Sequence, residues 1–372
     1  MILLKKSMRY HKKKVNKKIV LFIPSIESGG VEKNLFFLIN YLKKFYSNIY
    51  LVTSSKVGLN KNIKLIKPKS NFWFNKNRLL KSIICTIILF RYFKRKNTLI
   101  ISFQSNVFSI ILSKIMSWSV VIRLNTAPDK YIDNFFKLFL YKTLYNLSDQ
   151  IIVNSLEFKK KLSNSLNLNS TVIFNPIVKY KKKKLKIKFL KNYNGLKIIN
   201  IGRLTDQKDQ LTLLKSTTLI LKKSSIDFKL VIIGKGKNQT ILNRYINENN
   251  LTKNVYLLGY KKNAFSYLSL FDLFILSSKY EGLPNTLLEA QMSKIPIISS
   301  DCPTGPKEIL LGGKLGILFK TGDHIDLYKK LLLFIKNKKK YKQKATLAKK
   351  YLNRFDYKKN LKRYLKIINK YI

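Results

Sequence analysis

The chain has 372 residues and a mass of 43.6 kDa, a length that suggests two or three domains, of which two is the simpler interpretation, and its 46% hydrophobic content excludes a wholly disordered protein. Its 74 Lys and Arg residues outnumber its 18 Asp and Glu residues, and the formal charge of +56 favours anionic partners: nucleic acid, acidic phospholipid or phosphorylated substrates. Lys is abundant in every part of the chain, as an AT-rich coding bias would also produce, so the charge alone identifies no function.

Few side chains are of the kinds that bind metals or form disulfides. Two cysteines, Cys85 and Cys302, exclude a disulfide framework and a cysteine-based zinc site, and two histidines exclude a histidine-rich centre. We therefore predict no metal. The basic N-terminus lacks the apolar core of a secretory signal, and the longest apolar run, at residues 83–90, is far shorter than the roughly 20 residues that span a bilayer. These features predict a cytoplasmic protein.

Short β-branched runs alternate with helix-length segments along the first half of the chain. The predicted strands are Ile19–Ile23, Ile49–Thr53, Thr98–Ser102, Val120–Arg123 and Gln150–Val153. Continuous apolar runs suit parallel strands that are buried on both faces, and strand–helix alternation predicts a doubly wound α/β sheet.

The pattern breaks at residues 179–194, which are Lys-rich and have no apolar period, and then resumes. The second series of predicted strands is Lys197–Ile201, Lys229–Ile233, Val255–Leu258, Leu273–Leu276 and Ile295–Ser299. We divide the chain into a basic extension at 1–17, a first Rossmann-like domain at 18–180, a linker at 181–194, a second Rossmann-like domain at 195–350 and a helical segment at 351–372. We expect ligands in a cleft at the carboxyl ends of the strands.

The first predicted loop, at residues 24–32, follows a strand and opens a helix near Val31. Its paired Gly29 and Gly30 let backbone N–H groups approach a phosphate at the start of the helix. A tight turn without a ligand explains the same glycines equally well.

The second predicted loop, at residues 201–209, also joins a strand to a helix. After Gly202 it carries Arg203 and Lys208, a planar fork and a point charge that suit a diphosphate. A third segment, residues 279–290, holds Glu281 and Glu289 among apolar residues, where solubilising charge is not expected. Carboxylates accept hydrogen bonds from sugar hydroxyls, although an ion pair between Glu289 and a nearby lysine is the alternative.

These loops resemble the motifs of family 4 glycosyltransferases, retaining enzymes with the GT-B fold of two facing Rossmann-like domains. The resemblance rests on the Gly202–Lys208 loop and on Glu281 with Glu289, and covers most of residues 18–350. It also includes the segments Gly29-Gly30, Asn154-Ser155, Asn175-Pro176, Gly234-Lys235-Gly236 and Asp301 to Glu308. Residues 285–310 are similar to enzymes of bacterial surface polysaccharide synthesis, such as O-antigen, lipopolysaccharide or capsule.

The resemblance implies roles for individual residues. Arg203 and Lys208 would bind the donor diphosphate near Gly29, Gly30 and Gly202, and Glu281 would contact the transferred sugar. Glu289 would hold the ribose hydroxyls. The loop after Glu281 would complete the donor site with Gly282, Leu283, Pro284, Asn285 and Thr286. The implied catalytic set is Arg203, Lys208 and Glu281, with neither metal nor cofactor beside the nucleotide sugar.

One departure from the family lies in the first domain. Many members carry a histidine after the strand that matches Val120–Arg123, and here that loop has none. The side chains left for the acceptor side are Asn125, Thr126 and Asp129.

The resemblance favours a UDP-sugar donor and a glycan or polyprenyl-diphosphate-linked acceptor. Basic residues at 5–18 and the stretch Phe72–Arg78 could then rest on the anionic inner face of the cytoplasmic membrane. Two alternatives stay open: a sugar-nucleotide epimerase of the same architecture, and a basic nucleic-acid-binding protein. Against the latter, no nucleic-acid-binding motif occurs in the sequence, and we expect no specific nucleic acid partner.

Overall fold

The structure is a computed structural model, and it describes residues 17–27, 29–57, 63–93, 97–126, 134–178 and 185–372. The chain forms two units. Unit 1 extends to Pro176 and includes Tyr357–Ile372, whereas unit 2 is Ile177–Asp356. The sequence places residues 351–372 in a segment of their own; in the structure Tyr357–Ile372 is part of unit 1.

Unit 1 is built on a seven-stranded parallel sheet in the order β3-β2-β1-β4-β5-β6-β7. Its strands are β1 Lys18–Phe22, β2 Ile49–Val52, β3 Lys64–Ile66, β4 Thr98–Ser102, β5 Ser119–Arg123, β6 Gln150–Val153 and β7 Thr171–Val172. The five predicted strands are confirmed to within one residue at each end. The two missed strands, β3 and β7, are short and lie at the edges, where no long apolar run marks them.

Unit 2 contains a six-stranded parallel sheet in the order β10-β9-β8-β11-β12-β13. Its strands are β8 Leu196–Ile201, β9 Phe228–Ile233, β10 Val255–Leu257, β11 Leu273–Leu276, β12 Ile297–Ser300 and β13 Ile317–Phe319. The structure confirms the five predicted strands, with β12 displaced by one or two residues, and adds β13 at the edge.

Helices cover both sheets. The helices of unit 1 are α1 Gly30–Leu42, α2 Arg78–Tyr92, α3 Asn106–Ile115, α4 Phe135–Asn146, α5 Leu156–Leu166 and, at the end of the chain, α12 Tyr357–Tyr371. The helices of unit 2 are α6 Gln210–Lys223, α7 Gln239–Glu248, α8 Asn285–Met292, α9 Pro306–Ile309, α10 His324–Lys336 and α11 Lys338–Ala348. Within the described ranges, no helix combines the length and the apolar character that crossing a membrane requires.

Alternating strand residues separate the interior of unit 1 into two apolar layers. Val20 and Phe22 of β1 pack in the layer formed with α2, α3, α4 and α5. Ile19 and Leu21 face the opposite layer, which is formed with α1 and α12. The final helix belongs to unit 1 because its buried stripe completes this second layer; the stripe consists of Leu361, Tyr364, Ile367 and Ile368.

Candidate functional site

The loop after β8 is fastened to the loop after β9 by backbone hydrogen bonds. Gly202 N donates to Ile233 O at 3.0 Å, and Leu204 N donates to Lys235 O at 3.0 Å. Gly234 must be glycine at this crossing, because a Cβ atom there would overlap the carbonyl oxygen of Gly202. The Gly234-Lys235-Gly236 motif therefore allows the two loops to lie close together.

An ion pair joins the second and third sequence motifs. Lys208 Nζ bonds Glu281 Oε1, and the two side chains are only 14% and 8% exposed. Ser278 Oγ donates a second hydrogen bond to the same carboxylate oxygen at 2.7 Å. The sequence assigned Lys208 and Glu281 to the phosphate and the sugar separately, and the structure shows that they are also each other's partners.

Further hydrogen bonds hold the two loops around this pair. Gln207 Nε2 donates to Tyr280 O at 3.0 Å, and Lys279 N donates to Gln207 O at 2.8 Å. Ser277 Oγ donates to Lys208 O at 2.9 Å. Sequence reasoning missed Gln207, Ser277 and Ser278, although the two serines directly follow a buried strand, the place where ligand-side residues of open sheets are expected.

Arg203 and the exposed part of the same loop carry charge at the surface. The Arg203 side chain is exposed, and its Nη2 lies 3.5 Å from Gln207 Oε1. Asp206 forms an exposed ion pair with Lys237 and accepts from Asn238 Nδ2 at 2.9 Å. The hydrogen bond from Lys237 lowers the pKa of Asp206 below its usual value.

The segment after Glu281 is fixed by the loop that follows β12. Glu281 N donates to Pro303 O at 2.8 Å, and Thr304 Oγ1 donates to Gly282 O at 3.0 Å. Gly282, Leu283 and Pro284 are buried, and α8 begins directly after them at Asn285. Glu289 lies in the second turn of α8, as predicted, with an intermediate degree of burial.

Two threonines of these loops have buried hydroxyl groups that no described residue satisfies. They are Thr205 in the loop after β8 and Thr286 in the first turn of α8. A buried hydroxyl without a hydrogen bond is unfavourable, so a bound ligand or water is expected to complete it. Thr286 was predicted from the sequence, whereas Thr205 was not.

The first loop of unit 1 places a carboxylate at the start of α1. Glu32 is buried, and its Oε1 accepts a hydrogen bond from Glu27 N at 3.2 Å. A Cβ atom at Gly29 would lie 2.8 Å from Glu32 Oε2, so this glycine gives room to the carboxylate. Gly30 is the first residue of the helix. Glu32 was missed, although an acidic residue in a first helical turn is a known stabilising signal.

The predicted acceptor-side loop follows β5. Asn125 Nδ2 donates to Phe103 O at 2.8 Å, and its Oδ1 accepts from Arg123 Nε at 3.2 Å. Both ends of the Asn125 amide are therefore engaged within unit 1. Thr126 is half-buried, and Asp129 lies outside the described residues.

Arg123 is a buried cation that sequence reasoning treated only as the end of a strand. It is 1% exposed, and its Nη2 donates to Asn175 Oδ1 at 2.6 Å. Its Nη1 donates to Tyr364 Oη and to Ile173 O. In the described ranges, all the hydrogen-bond acceptors of this guanidinium are neutral oxygens.

In the described part of the chain, no group of three or more His, Cys, Asp or Glu side chains could hold a metal ion.

Residues 181–351 match the family model described as "Glycosyl transferases group 1". This region, less than half of the chain, is similar to that glycosyltransferase family. The chain is 41% identical over 179 residues to an uncharacterized glycosyltransferase of Methanocaldococcus jannaschii, a match that covers 46% of this chain and 44% of the relative. Arg203, Lys208, Glu281 and Glu289 all lie inside the group 1 region.

A second relative has a more specific name. The chain is 28% identical over 151 residues to the N-acetylgalactosamine-N,N'-diacetylbacillosaminyl-diphospho-undecaprenol 4-alpha-N-acetylgalactosaminyltransferase of Campylobacter jejuni, which covers 40% of each protein. The chain therefore matches less than half the length of both curated relatives.

A solved structure resembles the chain over almost its whole length. Anabaena HepE in complex with UDP and glucose superposes with a TM-score of 0.77 at 17% identity, over 95% of this chain and 99% of that one. This likeness, with the two parallel sheets, shows the GT-B fold that the sequence predicted.

Proposed function

We propose that the chain is a retaining glycosyltransferase. It would move a hexose or N-acetylhexosamine from a nucleoside-diphosphate sugar, UDP-linked, to a glycan or a polyprenyl-diphosphate-linked acceptor in surface polysaccharide synthesis. The observation that carries this proposal is the Lys208–Glu281 ion pair, which joins two sequence motifs at the carboxyl edge of the unit 2 sheet inside the group 1 region.

The proposed chemistry follows from where the charges lie. Departure of a nucleoside diphosphate builds negative charge on its phosphates, and preplaced cations stabilise that charge most in the transition state. Lys208 has three N–H donors, so it can keep its bond to Glu281 and still donate to a phosphate. The exposed guanidinium of Arg203 supplies a planar fork for the same group.

Glu281 has a second part in this scheme. Its buried carboxylate is held by Lys208 and Ser278, so its position is fixed before the substrate binds. A fixed carboxylate can accept hydrogen bonds from sugar hydroxyls, and it stabilises positive charge on the sugar carbon as the bond to phosphate breaks. Attack by the acceptor on the face from which the phosphate leaves would give retention. No step of this scheme needs a metal.

The names of similar proteins support the donor and acceptor classes. The Campylobacter relative is named for an acceptor on diphospho-undecaprenol, and the HepE structure contains UDP and glucose. A lipid-linked acceptor would place the enzyme peripherally on the inner face of the cytoplasmic membrane.

The first test is thermal unfolding with UDP, GDP, ADP, CMP and their sugar conjugates at constant salt. A ligand at 100 times its Kd adds about 2.7 kcal/mol of stability. We expect one nucleoside diphosphate to stabilise the protein, and Arg203→Ala and Glu289→Ala to abolish that effect. The matched controls are the exposed Arg244→Ala and Glu248→Ala on α7, which should keep it. Equal shifts with every polyanion, erased by salt, would refute a donor site.

The second test follows the reaction itself. With the stabilising sugar nucleotide and a lipid-diphosphate sugar acceptor, NMR of the product should show the anomeric configuration of the donor, with turnover unchanged in EDTA. Inversion of configuration would exclude the retaining scheme. Conversion of the donor to an isomeric sugar nucleotide without any acceptor would identify an epimerase instead.

A further inference from the structure

Helix α2 carries two apolar stripes. One stripe packs into the unit 1 interior and contains Cys85 and Leu89. The other is exposed and recurs at the spacing of one helix face; it consists of Leu79, Ile83, Ile87 and Phe90. Core packing explains only the first stripe, because a helix with one buried side needs a single apolar face.

The two helices beyond α2 continue the exposed apolar surface. Helix α3 packs against both α2 and α4, so the three form one side of unit 1. On α3, Ile115 is 71% exposed, and on α4, Phe135 and Phe136 are 82% and 72% exposed. Ile111, Phe139 and Leu140 are exposed beside them. We call this surface, formed by the exposed side chains of α2, α3 and α4, the α2–α4 face. Contiguous apolar surfaces of this kind mark interaction sites.

The charge around the α2–α4 face is mostly positive, and its described acidic neighbour Asp149 pairs with Lys114 of α3 at 3.8 Å. Residues 33–128 contain no Asp or Glu, and neither does α4. The exposed cations Arg78 and Arg91 lie on α2, and Lys142 lies on α4. In the 3₁₀ helix Asn71–Asn75, which packs against α2, Phe72 is exposed, and Lys76 Nζ lies 3.8 Å above its ring centroid.

We propose that the α2–α4 face lies on an anionic phospholipid bilayer, with its aliphatic and aromatic side chains in the headgroup–acyl boundary and its Arg and Lys side chains on lipid phosphates. Exposed Leu, Ile and Phe beside cations are the composition of helices that lie in a membrane interface. A second copy of the chain is disfavoured as the occupant, because it would bring two predominantly basic faces together. The inference goes beyond the proposed transfer reaction and does not depend on it.

The test is sedimentation of the full chain with vesicles of phosphatidylglycerol mixed with phosphatidylcholine, and with vesicles of phosphatidylcholine alone. We expect binding to the anionic vesicles that persists in part at high salt, because apolar insertion is not screened. Phe135→Ser/Phe139→Ser should weaken it by about tenfold for each phenylalanine. The matched control is Ile241→Ser/Leu333→Ser in unit 2, which replaces exposed apolar residues elsewhere and should bind normally.

A charge series separates this face from the general basicity of the chain. Arg78→Gln/Arg91→Gln/Lys142→Gln should weaken vesicle binding by about fivefold for each cation removed. The control Lys338→Gln/Lys339→Gln/Lys342→Gln removes three lysines that line a groove on α11 and should have little effect. An equal loss in both triple variants, or binding that high salt abolishes entirely, would overturn the proposal.

A probe on the surface gives a readout that does not depend on affinity. Cys85 and Cys302 are buried, and burial raises the pKa of the Cys85 thiol to about 12, so an introduced surface cysteine is labelled selectively. An environment-sensitive fluorophore on Phe139→Cys should shift to the blue with anionic vesicles, and one on Ile241→Cys should not. A blue shift at Phe139→Cys that follows protein concentration without lipid would show self-association and overturn the proposal. UDP stabilisation of the labelled protein tests the donor site independently.

Discussion

The carboxyl edges of the two sheets share an architecture and differ in how they hold a cation. At the edge of unit 2, Lys208 is held by a carboxylate, Glu281. At the edge of unit 1, Arg123 is held by amide, phenol and carbonyl oxygens, those of Asn125, Asn175, Tyr364 and Ile173. The same βα framework therefore supports an ion pair in one unit and a buried cation among neutral acceptors in the other.

The difference suggests different tasks for the two cations. The Lys208 side chain is 14% exposed, and its partner Glu281 is negatively charged. A bound phosphate can therefore compete with Glu281 for the Lys208 ammonium group or share it. Arg123 is almost fully buried, and its guanidinium donates four hydrogen bonds to oxygens of the loops after β5 and β7 and of α12. We infer that Lys208 serves a ligand and that Arg123 fastens the final helix to the sheet edge.

The largest expected effect concerns Lys208→Ala. Removal of one preplaced stabilising group should lower the turnover of the proposed reaction by roughly 10²–10³. It also leaves Glu281 buried without its cation, which should reduce the free energy of unfolding by about 3 kcal/mol. Sugar transfer and urea unfolding measure the two effects.

The paired change Lys208→Met/Glu281→Leu separates catalysis from stability. Replacing both ions with apolar residues should restore much of the stability and leave transfer lost. Activity retained in this double variant would show that the pair is structural only. Lys208 would then have the same kind of role as Arg123.

A smaller effect is expected at the crossing of the two loops. In Gly234→Ala the new Cβ would overlap the Gly202 carbonyl, so one loop must move, and the free energy of unfolding should fall by about 3 kcal/mol. Stabilisation by UDP should be lost with it. At Gly259 a Cβ would meet nothing within 4 Å, and Gly259→Ala should lose only about 1 kcal/mol through its positive φ of 65°. Similar losses in both variants would contradict the close approach. Urea unfolding with and without UDP measures both.

In unit 1, Tyr364→Phe tests whether Arg123 fastens α12 to the sheet edge. Loss of the phenol oxygen deprives the buried Arg123 Nη1 of one of its acceptors, and the free energy of unfolding should fall by about 2 kcal/mol. The control on the same helix is Tyr371→Phe, whose exposed hydroxyl donates to Asp149 O at 2.8 Å and should matter little. An unchanged urea midpoint in Tyr364→Phe would show that Arg123 does not fasten α12.

Local patterns in the sequence predicted the strands and the loops, because buried parallel strands are continuous apolar runs followed by glycine or polar residues. Among the residues that the structure describes, ten strands were predicted in this way, and the three that were missed lie at sheet edges. The motifs at Gly202, Lys208 and Glu281 were found because each follows such a strand.

Partners that are distant in the chain could not be predicted in the same way. The Lys208–Glu281 pair spans 73 positions, and the Arg123–Tyr364 bond spans 241. The amphipathic pattern of α12 predicts which face of the helix is buried, but it does not predict which sheet that face packs on. The sequence therefore could not show that α12 completes the interior of unit 1. The sequence also could not predict which face of α2 is exposed, because both of its stripes are apolar.

The smallest expected effect belongs to the exposed pair Asp206–Lys237, which lies in the same loops as Lys208. Both side chains are more than 60% exposed, so solvent and salt screen their interaction, and Lys237→Ala should leave the melting temperature unchanged at neutral pH. The pKa of Asp206 is lowered in the folded protein, chiefly by the hydrogen bond from Lys237. Its contribution to stability is therefore present above the ordinary aspartate pKa and is lost as the pH falls through the lowered one.

A carboxyl carbon NMR titration measures this directly. The midpoint of Asp206 should rise towards the usual aspartate value in Lys237→Ala, and added salt should raise it in the wild type. The shift should not disappear completely, because Asn238 still donates to Asp206 at 2.9 Å. A large fall in melting temperature for Lys237→Ala would show that this surface pair bears as much of the loop's stability as the buried Lys208–Glu281 pair, since burial is what separates the two in physical terms.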